Sequence, residues 1–313
     1  MPIPTSRTKE NAKIIIDKNK CTACGLCVEA CSDFSLMIID NTLVVNPNPA
    51  FGCIGCGHCM AVCPHEAINI LGRTISSSDM YNLPPEENKA KYEQLLTLLE
   101  HRRSIRKFKD KAVEKEKINK IIEAALTAPM GLPPSDVHLL VIEGNDKTHA
   151  FAKDFCNYIE RMKWFVSPWF LTLMRPFWGK ANDEMFRGFI RPTFKVYTEK
   201  MKEGKNVVNY DPPLLMYFYG SPYTDPADPI VAATYAMIAA ESLGLGTIML
   251  GAVHPLIQNG KQAKKFREKH GIRYASREGL FVAIGYPHFK FKKGIKRTFA
   301  AIDFSANEKM ANN

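Results

Sequence analysis

Two cysteine runs decide how the first part of this chain folds: CTACGLCVEAC at residues 21–31 and CIGCGHCMAVCP at residues 53–64. Both runs have the spacing C-x2-C-x2-C-x3-C, and a proline, Pro64, follows the second run. A cubane of iron and sulfide needs four soft thiolates that converge on it, and three cysteines at two-residue gaps wrap around such a cluster. The runs therefore predict two [4Fe-4S] clusters.

The fourth cysteine of each run is expected to open a helical turn and to point at the other cluster. The first cluster then has the ligands Cys21, Cys24, Cys27 and Cys63, and the second cluster has Cys53, Cys56, Cys59 and Cys31. Two zinc sites are the alternative, but a four-cysteine zinc site uses two separated C-x2-C pairs and has no use for the further cysteines. The ninth cysteine, Cys156, stands alone and is expected to be a buried, small hydrophobic residue.

The composition is that of a globular protein. The 313 residues include 42 Lys+Arg, 32 Asp+Glu and nine Cys, and 46% of them are hydrophobic, which excludes a disordered or collagen-like chain. No run of about 18 apolar residues is present, and the first ten residues lack an apolar core, so we expect neither a membrane span nor export. Nine cysteines in such a chain indicate metal ligation in a reducing, cytoplasmic compartment.

Charge and cysteine content divide the chain into two parts. Residues 1–80 carry six Lys+Arg and seven Asp+Glu (net −1), so the remainder carries 36 and 25 (net +11). We expect a two-cluster domain over residues 1–75, a polar linker over residues 76–90 and a second domain over residues 91–313. The net charge of +10 alone suggests nucleic acid, but no helix-turn-helix or zinc-finger pattern occurs, and no nucleic-acid partner is expected.

Helical and strand patterns interleave in the second part, too irregularly for regular βαβ winding, which predicts an α+β fold. Strands are expected at Val137–Glu143, Leu214–Gly220, Thr247–Leu250 and Leu280–Gly285. Helices are expected from Val113 to Thr127 and from Pro229 to Leu243, the second with Asp228 as its N-cap, Gly244 past its end and closely packed alanines. The glycines at 244 and 246 follow a helix and precede a strand, the reverse of a dinucleotide-binding fingerprint.

Residues 12–72 resemble the bacterial two-cluster ferredoxins. Two departures stand out: Ser32 replaces the proline that usually follows the first run, and 21 residues separate Cys31 from Cys53. We expect this longer insert to form a hairpin with Asp40 and Asn41 in its turn.

Five motifs follow one another in the order found in the FMN-dependent nitroreductase family: RRSIRKF at 102–108, TAP at 127–129, GLGTIMLG at 244–251, GYP at 285–287 and KR at 296–297. Residues 92–305 resemble that family. The resemblance implies a three-layer α+β sandwich, a homodimer, and FMN bound at the subunit interface.

The resemblance also implies roles at matching positions. Arg102, Arg103 and Ser104 would hold the FMN phosphate and ribityl chain, Arg106 would lie near the pyrimidine edge, and Lys296 or Arg297 would complete the phosphate site. Residues around Gly246, Thr247 and Gly251 would pass close to the isoalloxazine ring. The family usually has Asn and Gln where this chain has Pro133 and Ser135; Ser135 is expected to bond the flavin, and Pro133 to contact it only through its backbone oxygen or by packing.

The segment KWFVSPWFLTLMRPFWGK, residues 163–180, contains all three tryptophans. We expect it to form a lid over the flavin that stacks a planar substrate. Packing between subunits and peripheral contact with a membrane surface are the alternatives.

Together the two parts predict an iron–sulfur flavoenzyme. Electrons from a reduced ferredoxin or a similar redox protein would enter through the clusters and pass to FMN. The flavin N5 would then deliver a hydride to a planar acceptor (a nitroaromatic, a quinone or an activated double bond), with no catalytic side chain required. Specialised flavin chemistry on the same fold (reductive dehalogenation or cofactor remodelling), a nucleic-acid-binding redox sensor and a non-catalytic electron carrier are the alternatives.

Overall fold

The computed structural model describes residues 2–304, so the last nine residues of the domain predicted over 91–313 lie outside the described residues. The N-terminal unit consists of two small antiparallel ribbons and two short helices. Its elements are β1 (Lys13–Ile16), α1 (Leu26–Glu29), β2 (Leu36–Ile39), β3 (Thr42–Val45), α2 (His58–Val62) and β4 (Ile68–Leu71). Strand β2 pairs with β3 in a hairpin. Strand β1 pairs with β4, so the first and last strands of the unit lie side by side.

The hairpin predicted in the insert is confirmed. Asp40 and Asn41 join β2 to β3 with φ values of 49° and 57°. Two consecutive positive φ values match the right-handed twist of a tight two-residue hairpin, and Asp and Asn tolerate them better than most residues do.

The expectation that the fourth cysteine of each run opens a helical turn is wrong. Cys31 and Cys63 come after the helices α1 and α2, whose interiors contain the third cysteines Cys27 and Cys59. The physical reason is the glycine that precedes each helix, which has a φ of 86° before α1 and 79° before α2. This left-handed residue turns the chain into the helix before the third cysteine, so the fourth is carried past the helix end.

The larger unit alternates helices with four strands. Its elements are α3 (Tyr92–His101), α4 (Lys115–Leu126), β5 (Val137–Glu143), α5 (Asn145–Arg161), α6 (Pro168–Met185), α7 (Arg191–Lys202), β6 (Leu214–Gly220), α8 (Ala227–Ser242), β7 (Gly246–Leu250), α9 (Val253–Leu256), α10 (Lys261–Lys269) and β8 (Gly279–Gly285). Strands β5 and β6 have the predicted bounds, and β7 and β8 each begin one residue earlier. The helix expected from Val113 begins at Lys115.

A four-stranded antiparallel sheet in the order β5–β6–β8–β7 forms the middle layer of this unit. Every residue of the two central strands is buried, because helices cover both faces. One core lies between the sheet and α5, α9 and α10, and the other lies between the sheet and α4 and α8. The predicted three-layer α+β sandwich is confirmed.

Helix α8 packs closely, as its alanines predicted. Ala233, Ala236 and Ala240 are fully buried against the sheet and α4. The helix begins at Ala227, so Asp228 is not its N-cap. Its carboxylate instead accepts a hydrogen bond of 2.9 Å from the backbone N–H of Gly131 and ties α8 to the loop before β5.

The N-terminal segment docks directly on the larger unit. The backbone N–H and the hydroxyl of Ser6 each donate a 2.7 Å hydrogen bond to the Asp136 carboxylate. The hydroxyl of Ser221 donates a third one, so the buried carboxylate is well satisfied. Arg7 donates to the backbone carbonyl of Ser135 at 3.3 Å. These contacts fix the iron–sulfur part beside the start of β5.

Candidate functional site

Eight cysteines surround two small cavities in the N-terminal unit. The first cavity is lined by Cys21, Cys24, Cys27 and Cys63, and the second by Cys31, Cys53, Cys56 and Cys59. Helices α1 and α2 lie against each other, so the cysteine after each helix reaches the cavity of the other run. The structure thus groups the cysteines as the spacing predicted, although the ligand roles themselves remain a prediction.

The chemistry of these side chains suits iron. Burial raises the pKa of the Cys27, Cys31 and Cys53 thiols, and burial together with the neighbouring cysteines raises the pKa of Cys59 to about 12. Thiols in such surroundings lose their protons only when a strong cation replaces them. Four soft donors around each cavity provide the ligand set that a cubane requires.

A larger cavity of about 400 Å³ lies between the two units. Gly55, Cys56 and Arg73 line it from the iron–sulfur side, and Met130, Ser135, Phe218 and Asp228 line it from the other side. A predicted ligand of the second cluster and a predicted flavin ligand therefore face the same space.

The guanidinium of Arg73 closes one side of this cavity, and the sequence analysis missed it. It donates hydrogen bonds of 2.7–2.9 Å to four backbone carbonyls, those of Ile3, Glu10, Ile54 and Pro133. A single arginine beside a polar stretch does not form a recognisable motif. Its position shortly after the second cysteine run was the only sequence signal that Arg73 lies near the cluster site.

The predicted phosphate-binding cations gather at the other end of the larger unit. Arg102 ends helix α3, and its pKa is lowered by burial and then by the nearby Arg297 and Arg103, with Glu241 opposing them. A cavity of about 520 Å³ beside them is lined by Glu100, His101, Arg103, Phe291, Lys292, Lys293, Gly294, Ile295 and Lys296. This excess of cations fits a phosphate, because a dianion would relieve their mutual repulsion. Arg106 is exposed and does not line this cavity.

The segment that follows Arg103 runs beside the edge strand β7. Ser104 forms a bridge with Thr247, and the backbone N–H of Ile105 donates to the Thr247 carbonyl at 3.0 Å. The Thr247 hydroxyl is buried and has no hydrogen-bond partner among the described residues. A buried orphan hydroxyl beside a cationic group is consistent with a polar ligand at this edge.

The two glycines of this strand region have different surroundings. A Cβ atom at Gly246 would lie 2.4 Å from a side-chain carbon of Ile105, so glycine is required here by protein packing. At Gly251 a Cβ atom would meet nothing within 4 Å. Gly251 lines an open cavity of about 670 Å³ together with His254 and Arg277, where a ligand has room to approach.

Ser135 is far from the basic group within one chain. Ser104 lies outside β7, while Ser135 precedes β5 at the opposite edge of the sheet. Thr247 is level with the last residues of β8, and Val137 is level with its first. With strands ~4.8 Å apart and a rise of ~3.4 Å per residue, the two serines are separated by more than roughly 20 Å. One FMN molecule cannot contact both in the same chain.

Comparison with known proteins identifies both parts. The nitroreductase family matches residues 99–286, and the 4Fe-4S dicluster domain matches residues 13–64. The first match covers more than half of the chain. The chain belongs to the nitroreductase family.

Solved nitroreductases resemble the chain over the larger unit. A nitroreductase with bound FMN from Bacteroides fragilis is 18% identical, with a TM-score of 0.49 over 68% of this chain and 99% of that one. A nitroreductase with bound FMN from Desulfitobacterium hafniense is also 18% identical, with a TM-score of 0.48 over 67% and 98%.

Sequence relatives match only a short segment of this nitroreductase. It is 36% identical over 66 residues to "Putative formate dehydrogenase" of Staphylococcus aureus and 35% identical over 66 residues to "Probable oxidoreductase YjgC" of Bacillus subtilis. Each match covers 17% of this chain and 6% of the relative, so the chain spans a small part of these proteins.

The aromatic segment of this nitroreductase forms a partly exposed helical excursion. Trp178 stacks on Phe186 with ring centroids 4.6 Å apart, whereas Trp164, Trp169 and Phe177 are exposed. None of the residues that line the three larger cavities belongs to this segment. Its role as a lid, a subunit contact or a membrane contact remains a prediction. No helix within residues 2–304 is both long and apolar enough to cross a membrane.

The glycine pair gives a matched test of this packing. We expect Gly246→Ala to lower the unfolding free energy by about 1–3 kcal/mol, because the new methyl group overlaps Ile105. Gly251→Ala should change it by less than about 0.5 kcal/mol. Urea denaturation of the two full-length variants measures both values, and equal stability of the two would contradict the packing described for Gly246.

Proposed function

We propose that this protein is an iron–sulfur flavoprotein oxidoreductase. In this proposal two [4Fe-4S] clusters pass electrons to FMN, which reduces a planar conjugated acceptor such as a nitroaromatic, a quinone or an activated double bond. FMN supplies the exchange between single electrons and electron pairs, and the protein supplies binding and orientation. The cavity lined by both Cys56 and Ser135 carries the proposal, because a predicted ligand of the second cluster and a predicted flavin contact face the same space there.

The ligand assignment follows the two sulfur-lined cavities. Cys21, Cys24, Cys27 and Cys63 hold the first cluster, and Cys53, Cys56, Cys59 and Cys31 hold the second. Cys24 is exposed, whereas no cysteine of the second set is. Electrons therefore enter at the first cluster and leave from the second, which lies beside the larger unit. Residues 1–75 form the iron–sulfur domain in this proposal, 76–90 the linker and 91–313 the flavin domain.

The flavin phosphate takes the cationic end of the larger unit. Arg102, Arg103 and Arg297 bind it, and Lys296 lines the same cavity. The Ser104 and Thr247 side chains face the ribityl chain, and Gly251 at the far end of β7 faces the ring. The strand from residue 246 to 250 spans about 14 Å, which suits a nucleotide lying lengthwise.

A second copy of the chain completes this site. Ser135 is too far from Arg103 to contact the same flavin in one chain, so the Ser135 of one copy faces the flavin held by the other copy. The second cluster, which shares a cavity with Ser135, then serves the flavin of the partner copy. Exposed apolar side chains for such an association are present on α3 and on the segment after β8: Leu95, Leu96, Leu99, Ile295, Phe299 and Ile302.

The iron content tests the cluster assignment. Protein purified without oxygen should contain about eight irons per chain, and Cys56→Ala should reduce this to about four while FMN is retained. Cys156→Ala is the matched control, because Cys156 is buried in the core of the larger unit. Zinc in place of iron, or an equal iron loss in both variants, would contradict the assignment.

The phosphate site has its own test. We expect Arg103→Ala to weaken FMN binding by roughly ten- to 100-fold, because a hydrogen bond to a charged group contributes about 1.5–3 kcal/mol. Arg161→Ala is the control, since this exposed arginine at the end of α5 lines none of the three cavities. Equilibrium titration of the flavin-free proteins with FMN measures both constants. Equal affinity of the two variants would place the phosphate elsewhere.

The electron donor is the third point of test. A reduced ferredoxin should reduce the bound flavin much faster than NADH does, because the chain has its own iron–sulfur entry. Stopped-flow absorbance without oxygen compares the two donors directly. If NADH reduces the flavin as fast as the ferredoxin does, the clusters are not the entry for electrons.

A further inference from the structure

The contact between the two units contains a buried cation without a carboxylate partner. Arg73 is 5% exposed, and four backbone carbonyls from three segments accept its hydrogen bonds. Two of these carbonyls belong to the N-terminal segment, one to the second cysteine run and one to the loop before β5. Neutral carbonyls satisfy the N–H groups, but they leave the positive charge uncompensated.

The second cysteine run packs directly on this charge, since the Ile54 carbonyl accepts one of its hydrogen bonds at 2.9 Å. Burial lowers the pKa of Arg73, and among the described residues only the Cys53 thiolate opposes this effect. Arginine stays protonated in proteins, so the cation persists. A Cβ atom at Gly55 would lie 3.3 Å from the Cβ of Arg73, which shows how closely the loop from Cys53 to Cys56 packs on this residue.

A buried carboxylate lies beside the same cysteine set. Asp33 is 3% exposed, its Oδ1 lies 3.2 Å from the sulfur of Cys31, and it lines the cavity of the second set. The second cysteine set therefore has one buried positive charge and one buried negative charge among its neighbours. Within the described part of the chain, the first cluster site has no such pair of charges. Apart from its cysteines, His65 is the only titratable residue among those described that lines it.

We propose that Arg73 is a positioning residue that raises the reduction potential of the second cluster against the opposing effect of Asp33. The inference rests on the proposed two-cluster function. Reduction adds one electron, delivered by the first cluster, with no bond made or broken, and Arg73 stays protonated. Including its four thiolates, the cluster changes from roughly −2 to roughly −3, and a desolvated cation nearby stabilises the more negative state. The electron is thereby held at the cluster that borders the cavity between the units.

Charge and hydrogen bonding can be separated at this position. Arg73→Gln removes the charge and keeps an amide donor. Arg73→Lys keeps the charge but loses the planar arrangement of guanidinium N–H donors. We expect Arg73→Gln to shift one of the two iron–sulfur transitions to a more negative potential and to leave the other in place. Arg73→Lys should keep that transition near the wild-type value. Redox titration followed by electron paramagnetic resonance, on full-length protein purified without oxygen, measures both transitions.

Two further variants complete the experiment. Asp33→Asn should shift the same transition in the positive direction, which keeps the inference testable if Arg73→Gln does not fold. Arg161→Gln should leave both transitions in place, because Arg161 is an exposed arginine at the end of α5 and lines neither cluster cavity nor the cavity between the units.

The outcomes distinguish this inference from the function on which it rests. Unshifted transitions in Arg73→Gln or Asp33→Asn, or an equal shift in Arg73→Gln and Arg73→Lys, would overturn the role of the charge. These results count against the inference alone if the samples contain about eight irons per chain. A wild-type protein without two clusters would overturn the proposed function as well.

Discussion

The antiparallel sheet in the order β5–β6–β8–β7 constrains everything else in this molecule. Because β6 and β8 are buried on both faces, ligands can reach the sheet only at its edges and ends. The cations around Arg103 lie at the β7 edge, and Ser135 lies at the diagonally opposite corner. The iron–sulfur unit docks at that second corner, through Ser6, Arg7 and Arg73. The geometry of the sheet thus separates the cations around Arg103 from Ser135 and the second cysteine run within one chain.

Because the two corners of the sheet are far apart, the contact between the two units decides which corner the second cysteine run faces. Arg73, which donates to the backbone carbonyls of Ile54 and Pro133, holds the second cysteine run against the loop before β5. The buried Asp136 carboxylate holds the N-terminal segment there through Ser6. Such contacts leave little freedom for the iron–sulfur unit to move relative to the sheet, because each buried polar group would lose its partner. A fixed contact suits electron transfer, which depends on a constant distance between donor and acceptor.

Much of this arrangement could be predicted from the sequence, since some patterns have only one physical solution. Two C-x2-C-x2-C-x3-C runs place eight thiols around two centres, and consecutive Asp40 and Asn41 suit a tight hairpin turn. Strands β5 and β6 were predicted with their bounds because continuous apolar runs between polar segments indicate buried strands. The ordered motifs from residue 102 to 297 predicted the family.

Other features depend on tertiary contacts that no local pattern encodes. The N-cap predicted at Asp228 was wrong because Asp225 accepts the hydrogen bond from the first helical N–H, leaving Asp228 free to bind Gly131. The packing reason for glycine at position 246 was not predicted, because the Ile105 side chain that fills the space beside it comes from a distant part of the chain. Arg73 has no sequence signature, because its four partners are backbone carbonyls spread from residue 3 to residue 133.

The central claim is that a flavin held by one copy of the chain receives electrons from the second cluster of the other copy. A mixed dimer tests it most directly, with Cys56→Ala in one differently tagged chain and Arg103→Ala in the other. At an FMN concentration too low to fill the weakened Arg103→Ala site, every site of each parent homodimer lacks either the second cluster or the bound flavin, so both should be inactive with a reduced ferredoxin and a nitroaromatic acceptor. The account predicts that the mixed dimer regains activity, because the flavin held by the Cys56→Ala chain faces the intact cluster of its partner. A mixed dimer as inactive as its parents would contradict the account.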